Sequence, residues 1–317
     1  MMDNKEVILK IENLQTWVPI TKGMFKKVGG HVKAVDDVSL EVYKGETLGI
    51  VGESGCGKST FGKTAMMLEN PTGGRVLFNF NGEFKDVTKF NKDEMFSFRR
   101  KVQMVFQDPY SALNPQKKIY SSFEEPLKVH GIDSMEEREE VMRKVLKMVN
   151  IQPDYLMRYP HEFSGGQRQR VNIARALSIS PKVIVCDEPV SALDVSIQAQ
   201  VINLFKKIQQ ERKLTYVFIS HDLGIIKYIS DRIIIMYLGR IMETYTAEGI
   251  YANPLHPYTR ALLSAIPPES PFEKKERMPL HGDIPSPIGD QVGCPLAGRC
   301  PNCTERCKKE IPKLVDV

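Results

Sequence analysis

The sequence predicts an α/β fold: a core of parallel strands covered on both faces, an inserted helical lobe, and a tail. Three observations carry this reading. The runs Glu46 to Val51, Val183 to Cys186, Thr215 to Ser220 and Arg232 to Tyr237 are short and predominantly apolar without alternation, as parallel strands buried on both faces require. The first of them runs straight into a glycine-rich turn, behind which a helix is expected to begin near Lys58. Between residues 108 and 180 the periodicity turns helical. A length of 317 residues exceeds one average domain but is short for three, which suits one core with an insertion and an appendage.

Taken in order, residues 6 to 50 alternate short apolar runs with turns before the strand that ends at Val51. A second strand, Val102 to Phe106, ends at Gln107-Asp108-Pro109. Ser134, followed by two glutamates, opens an amphipathic helix through Val149, with Val141, Val145, Leu146 and Val149 at helical spacing. Another helix is expected from about Gly166 to Ile179. From Asn253 onward prolines are dense, so the tail is expected to hold little regular sheet. The resulting division is 1–107 with 181–245 as the core, 108–180 as the helical lobe, and 246–317 as the extension.

Composition excludes several classes. With 42% hydrophobic and 26% charged residues the chain reads as globular, and its most apolar stretch, Ile233 to Leu238, is far too short to span a bilayer. The N-terminal Met1-Met2-Asp3-Asn4 carries no signal-peptide pattern, so residence on the cytoplasmic side is expected. A net charge of +5 gives no argument for a nucleic-acid partner. One run without acids and with four lysines, Thr21 to Lys33, suits either a triphosphate or anionic lipid nearby, or a solvated loop. Six cysteines in such a chain argue against a disulfide framework, and four of them crowd into residues 294–307.

Gly52-Glu53-Ser54-Gly55-Cys56-Gly57-Lys58-Ser59 fits G-x-x-x-x-G-K-[ST] in full. Chance would give it in roughly one chain of this length in a hundred, and its place after a strand lowers that further. The glycines let successive N–H groups turn inward around phosphates, Lys58 reaches the β- and γ-phosphates, and Ser59, with Thr60 behind it, opens the helix and ligates Mg²⁺. Val183 to Cys186 then ends in two acids. Asp187 is placed to hold Mg²⁺ and Glu188 to polarise an attacking water; alone, this pattern serves equally as a helix cap. Ser164-Gly165-Gly166-Gln167 sets a serine and two glycines at a helix start, a place for an anion or simply a cap.

With these residues assembled, the chain resembles the ABC-type ATPases. Phe163-Ser164-Gly165-Gly166-Gln167 is similar to their Leu-Ser-Gly-Gly-Gln signature and departs only at its first residue. Gln107 falls where the family has its Q-loop, Ser191-Ala192-Leu193-Asp194 where it has the D-loop, and His221 where it has the switch histidine. The resemblance implies a P-loop NTPase (RecA-like) core with an ABC β-subdomain and an inserted helical subdomain. It implies ATP and Mg²⁺ as cofactors, Gln107 as a Mg²⁺ and water sensor, and His221 as a γ-phosphate contact. It also implies that two domains pair head to tail, so that Ser164, Gly166 and Gln167 of one, with Asp194, complete the ATP site of the other. For the aromatic that this family stacks on adenine, the sequence offers Phe25, the preferred residue, or His31.

The tail narrows the resemblance. Asn253 to Pro267 and Gly282 to Pro287 are similar to the C-terminal extension of oligopeptide and dipeptide permease ATPases, and the stretches Phe163 to Arg170, Cys186 to Gln200 and Tyr237-Leu238-Gly239 resemble the F-type subunit of the pair. The implied partners are a D-type ATPase subunit or a second copy of the chain, two transmembrane permease subunits, and indirectly an extracellular solute-binding protein. The implied place is peripheral, on the cytoplasmic face of the membrane. Cys294, Cys300, Cys303 and Cys307, close together and beside prolines, favour an iron–sulfur cluster by spacing, with zinc as the alternative. Some members of this family hold a 4Fe-4S cluster there. A soluble ABC ATPase of DNA repair or translation is the second reading, opposed by the permease-like tail and by the lack of a long coiled-coil insertion. An ATPase scaffold serving as a redox sensor is the third.

Overall fold

The computed structural model describes residues 5–22, 27–267, 277–286, 288–289 and 291–317. Phe25 lies outside the described residues. The strands are β1 (Val7–Lys22), β2 (Lys27–Tyr43), β3 (Thr47–Val51), β4 (Gly73–Phe80), β5 (Glu83–Asp86), β6 (Val102–Val105), β7 (Val183–Asp187), β8 (Thr215–Ser220), β9 (Arg232–Tyr237) and β10 (Arg240–Thr246). The helices are α1 (Lys58–Ala65), α2 (Lys92–Lys101), α3 (Ile119–Val129), α4 (Met135–Met148), α5 (Gly165–Leu177), α6 (Val195–Arg212), α7 (Leu223–Ile229), α8 (Ala247–Ala252) and α9 (Pro257–Ser264). The chain divides into two compact units.

The first unit comprises Met1–Tyr43, Thr47–Lys89 and Ser220–Val317. It contains the antiparallel sheet β2-β1-β4-β5 and the strands β10-β9-β3, in which β3 and β9 run parallel and pair Ile50 with Ile234. Every residue of β3 and all but the first of β9 are buried, the signature of a parallel strand covered on both faces. In place of the expected short segments, residues 7–22 and 27–43 form a long two-stranded ribbon. Register shifts between Ile11 and Leu14, Leu14 and Thr16, and Pro19 and Thr21 break the alternation of period two, so the sequence looks like separate pieces.

The second unit comprises Lys44–Glu46 and Phe90–Ile219. Strands β8-β7-β6 run parallel, with Val102 opposite Val183 and Cys186 opposite Phe218. Helices α3, α4 and α5 lie in the chain between β6 and β7. Ser134 caps α4, its hydroxyl accepting from the Glu137 N–H at 3.3 Å, as the sequence predicts. Met142 adds a fully buried position to the apolar face of that helix. Phe205 of α6 meets the rings of Tyr216 and Phe218 edge-on at 5.5 and 5.6 Å, and all three are fully buried. Burial of side chains this large contributes about 1.5–3 kcal/mol each.

Beyond β10 the described extension contains α8, α9 and one isolated bridge between Val32 and Ile288. Pro257 starts α9, and His256 caps it by accepting the Tyr258 N–H at 3.2 Å on Nδ1. The extension is nonetheless anchored: Tyr258 is 0% and Leu296 1% exposed. Among the described residues no helix is long and apolar enough to cross a membrane.

Candidate nucleotide site

Strand β3 delivers the chain into the glycine turn, and steric demand explains its composition. A Cβ on Gly52 would lie 2.1 Å from the Met236 carbonyl oxygen, and one on Gly57 would lie 1.9 Å from that of Ala34. Gly55 and Gly57 also have φ of 78° and 101°, a region open to glycine at little cost. Lys58 is the first residue of α1 and only 4% exposed. Its Nζ donates to the carbonyl oxygens of Gly52 at 2.7 Å and Glu53 at 3.0 Å. No side chain caps the start of α1. A buried ammonium curled back over a glycine turn, at an uncapped helix N-terminus, is an arrangement suited to phosphate. Ser54 and Gly55 form the outer turn, and Ser59 and Thr60 follow Lys58 in the first turn of the helix. Cys56 is buried, and burial pushes its thiol up although Lys58 pulls the other way.

In the second unit, β7 ends at Asp187, 4% exposed, and the next residue takes φ of 44°. That residue is Glu188. Its N–H donates to the Ile219 carbonyl at 3.0 Å, its carbonyl accepts from the Ser191 hydroxyl at 3.1 Å, and its Oε2 accepts from Gln107 Nε2 at 3.1 Å. A left-handed conformation at a non-glycine residue costs about 1–2 kcal/mol and persists only where the surroundings impose it. Gln107 is itself followed by a turn in which the Asp108 carboxylate accepts from the N–H groups of Tyr110 and Ser111 at 2.8 and 3.2 Å.

The same unit brings Ser164 to Gly166 against Leu193 and Ile197. Ser164 caps α5 reciprocally with Gln167: its hydroxyl accepts the Gln167 N–H at 3.3 Å, and Gln167 Oε1 accepts the Ser164 N–H at 3.0 Å. A Cβ on Gly165 would reach Leu193 at 3.5 Å, an ordinary contact, whereas one on Gly166 would meet Ile197 of α6 at 2.4 Å. The second glycine is therefore needed for the two helix starts to close on each other. Asp194 occupies the cap position of α6 without a side-chain cap bond, and Gln198 Nε2 pins the loop through the carbonyls of Val190 and Leu193, both at 3.0 Å.

His221 stands between Ser220, the last residue of β8, and Asp222, which caps α7. Asp222 accepts from the N–H groups of Gly224 and Ile225 at 2.7 and 3.1 Å and donates its own N–H to the Ser220 hydroxyl at 3.0 Å, so the backbone on both sides of His221 is fixed. His31, the other aromatic candidate, is exposed, with its ring 6.4 Å from that of Trp17.

For the cysteine tail the outcome differs from expectation. The Cys294 N–H donates to the Cys307 carbonyl at 2.7 Å, which closes the loop, and all four thiols are free. Burial pushes the Cys294 thiol up, and Cys307, Cys300 and Cys303 are near enough to push it further. Hydrogen bonding from Thr304 draws the Cys307 thiol down. Yet among the described residues no three His, Cys, Asp or Glu side chains converge as a ligand set, so neither the iron–sulfur nor the zinc arrangement at Cys294, Cys300, Cys303 and Cys307 is assembled. Backbone hydrogen bonds tie Cys294 to Cys307 and Cys303 to Cys300, while the Cys303 thiol faces the Thr304 carbonyl at 3.6 Å and the Cys307 sulfur lies 3.2 Å from the Thr304 hydroxyl.

One residue of the glycine turn was missed by spacing alone. Glu53 fills a variable position of the motif, but its carboxylate pairs with Arg299, and its N–H donates to the Tyr258 hydroxyl. No periodicity links positions 246 and 205 residues apart.

Comparison with known proteins agrees with this geometry. A family model described as ABC transporter matches residues 35–191, and one described as the oligopeptide/dipeptide transporter C-terminal region matches residues 242–307. The oligopeptide transport ATP-binding protein AppF of Bacillus subtilis (strain 168) is 50% identical over 314 residues, 98% of this chain and 94% of AppF. The di/tripeptide transport ATP-binding protein DppF of Pseudomonas aeruginosa (strain UCBPP-PA14) is 46% identical over 311 residues, with 98% and 94% covered. Among solved structures, dimeric MJ0796, a bacterial ABC transporter cassette, superposes with a TM-score of 0.66 at 30% identity, over 76% of this chain and 99% of that one. A glycine turn over a buried lysine, an ABC cassette fold and end-to-end likeness to these relatives lead to one statement: the chain belongs to the ABC transporter ATP-binding subunits of the oligopeptide/dipeptide family, which are ATPases.

Proposed function

We propose that this chain hydrolyses ATP to drive uptake of di- or oligopeptides through two transmembrane permease subunits, from the cytoplasmic face of the membrane. The observation that carries the reading is the buried Lys58 ammonium held by two carbonyls of the turn 52–59. Support for transport over a soluble role comes from the match at residues 242–307 and from relatives named as peptide transport proteins. In this reading residues 1–107 and 181–245 form the ATP-binding core, 108–180 the helical subdomain, and 246–317 the extension. The backbone of Gly52, Ser54, Gly55, Cys56 and Gly57, with Lys58 and Thr60, holds the phosphates, and Phe25 stacks on adenine. Ser59, Asp187 and Gln107 supply hard oxygen donors suited to Mg²⁺, which would neutralise charge between the β- and γ-phosphates. Glu188 polarises the attacking water and His221 contacts the γ-phosphate. Ser164, Gly166, Gln167 and Asp194 act on the nucleotide held by a partner ATPase, a D-type subunit or a second copy of this chain. An external solute-binding protein delivers the cargo. Reconstituted with its permease subunits in vesicles, the chain should support accumulation of labelled peptide with ATP and none with a non-hydrolysable analogue. Failure to co-purify with any membrane permease would remove the transport reading.

The cysteine loop is proposed to hold a structural 4Fe-4S cluster. Its support is the donor chemistry, four cysteines outside any disulfide in one loop closed between Cys294 and Cys307. Anaerobic purification should give brown protein with about four irons per chain. Colourless protein carrying stoichiometric zinc and no iron would replace the cluster by zinc.

A further inference from the structure

Glu53 is gripped at three points. Its N–H donates to the Tyr258 hydroxyl at 2.9 Å, its carbonyl accepts from Lys58 at 3.0 Å, and its carboxylate accepts from both terminal nitrogens of Arg299 at 2.9 and 3.4 Å. Two of the three grips come from the C-terminal extension. Arg299 Nη1 also donates to the Tyr237 hydroxyl at 3.3 Å, and the Tyr237 ring lies 4.7 Å from that of Tyr258. Both tyrosines are almost fully buried, and the Arg299 and Glu53 side chains are only 10% and 26% exposed.

Such an ion pair differs from a solvated surface pair, whose contribution is small. It is forked, shielded and joined to a buried aromatic pair, so it fixes geometry as well as adding attraction. Cradling phosphate does not by itself ask for a charged side chain at position 53, since that task falls to backbone N–H groups and Lys58. What the grips do fix is the Glu53 peptide. Its carbonyl is one of the two that hold Lys58, and its N–H belongs to the turn itself. A turn already held in shape loses less conformational freedom when a ligand arrives.

We infer that Tyr258 and Arg299 are positioning residues for the nucleotide site, acting through Glu53, and that the C-terminal extension thereby sets the ATP affinity of this chain. Arg299 precedes Cys300 and sits inside the loop closed between Cys294 and Cys307, so the cysteine loop reaches the turn through Arg299. The inference rests on the reading of residues 52–59 as the phosphate site.

The test is Mg-ATP affinity of the full chain, titrated with a fluorescent ATP analogue and checked with ATP itself as competitor, beside thermal melting without nucleotide. Arg299→Ala and Glu53→Ala should each weaken binding about five- to tenfold, the lower end of the usual coupling between two sites of one protein. The double variant should bind no more weakly than the weaker single, because both remove one link. Arg299→Lys should recover part of the loss, an effect that a merely space-filling role would not show. Unchanged affinity in Glu53→Ala, or additive losses in the double variant, would overturn the inference. If Arg299→Ala does not fold, Glu53→Ala decides, because it leaves the aromatic anchor of the extension intact. Lys58→Met serves as the control: wild-type binding by that variant removes the phosphate-site reading, whereas lost binding there with full binding in Glu53→Ala removes only the clamp.

Discussion

Glu188→Gln should bind ATP with wild-type affinity yet hydrolyse it about a hundred- to ten-thousandfold more slowly, the usual contribution of a positioned general base. The substitution keeps length and shape. Its backbone N–H bond to Ile219 is untouched, and a carboxamide oxygen can still accept from Gln107 Nε2, where the carboxylate does so at 3.1 Å. What disappears is the charge and the capacity to take a proton from water. The φ of 44° at this residue makes the point sharper, because glutamine tolerates that region no better than glutamate, so a stability change would not mimic the effect. Since the nucleotide stays bound and unhydrolysed, the variant should also accumulate as an ATP-bound dimer. Single-turnover release of phosphate and size-exclusion chromatography with ATP check both halves. Near-normal turnover would remove Glu188 from the role of base.

Much of this was legible in the sequence because each feature has a local cause. Buried parallel strands leave uninterrupted apolar runs, and the expected boundaries at Thr215–Ser220 and Arg232–Tyr237 recur unchanged in the structure. The start of α1 at Lys58 and the capping of α4 by Ser134 are likewise written in adjacent residues. Features set by distant contacts were not legible. The ribbon β1-β2 hides behind its bulges, which displace side chains from one face to the other. The reason for glycine at position 166 is Ile197, and the partners of Glu53 are Tyr258 and Arg299, none of which announces itself by spacing. Tyr258 and Arg299, far along the chain, return to the glycine turn at Glu53.

Replacing Lys58 with methionine should raise the dissociation constant for Mg-ATP about thirty- to several-thousandfold. Loss of one partner from a buried, hydrogen-bonded charge contact costs about 2–5 kcal/mol, and each 1.4 kcal/mol is a factor of ten. Lys58 meets both conditions: it is 4% exposed, and its Nζ already sits within 3.0 Å of two carbonyl oxygens of the turn. Those carbonyls are weaker partners than phosphate oxygens carrying full charge, so the ammonium gains on exchanging one for the other, and methionine cannot make the exchange. Methionine nearly matches the stem in length and apolar character, which separates loss of charge from loss of packing. Without nucleotide the variant leaves the carbonyls of Gly52 and Glu53 short of a donor, at about 1 kcal/mol each, so melting should fall by only a few degrees. The decisive comparison is therefore between the two readouts. A large loss of affinity with a small loss of stability assigns Lys58 to phosphate. Equal modest losses in both would make it a structural pin of the turn and would take the nucleotide from this site.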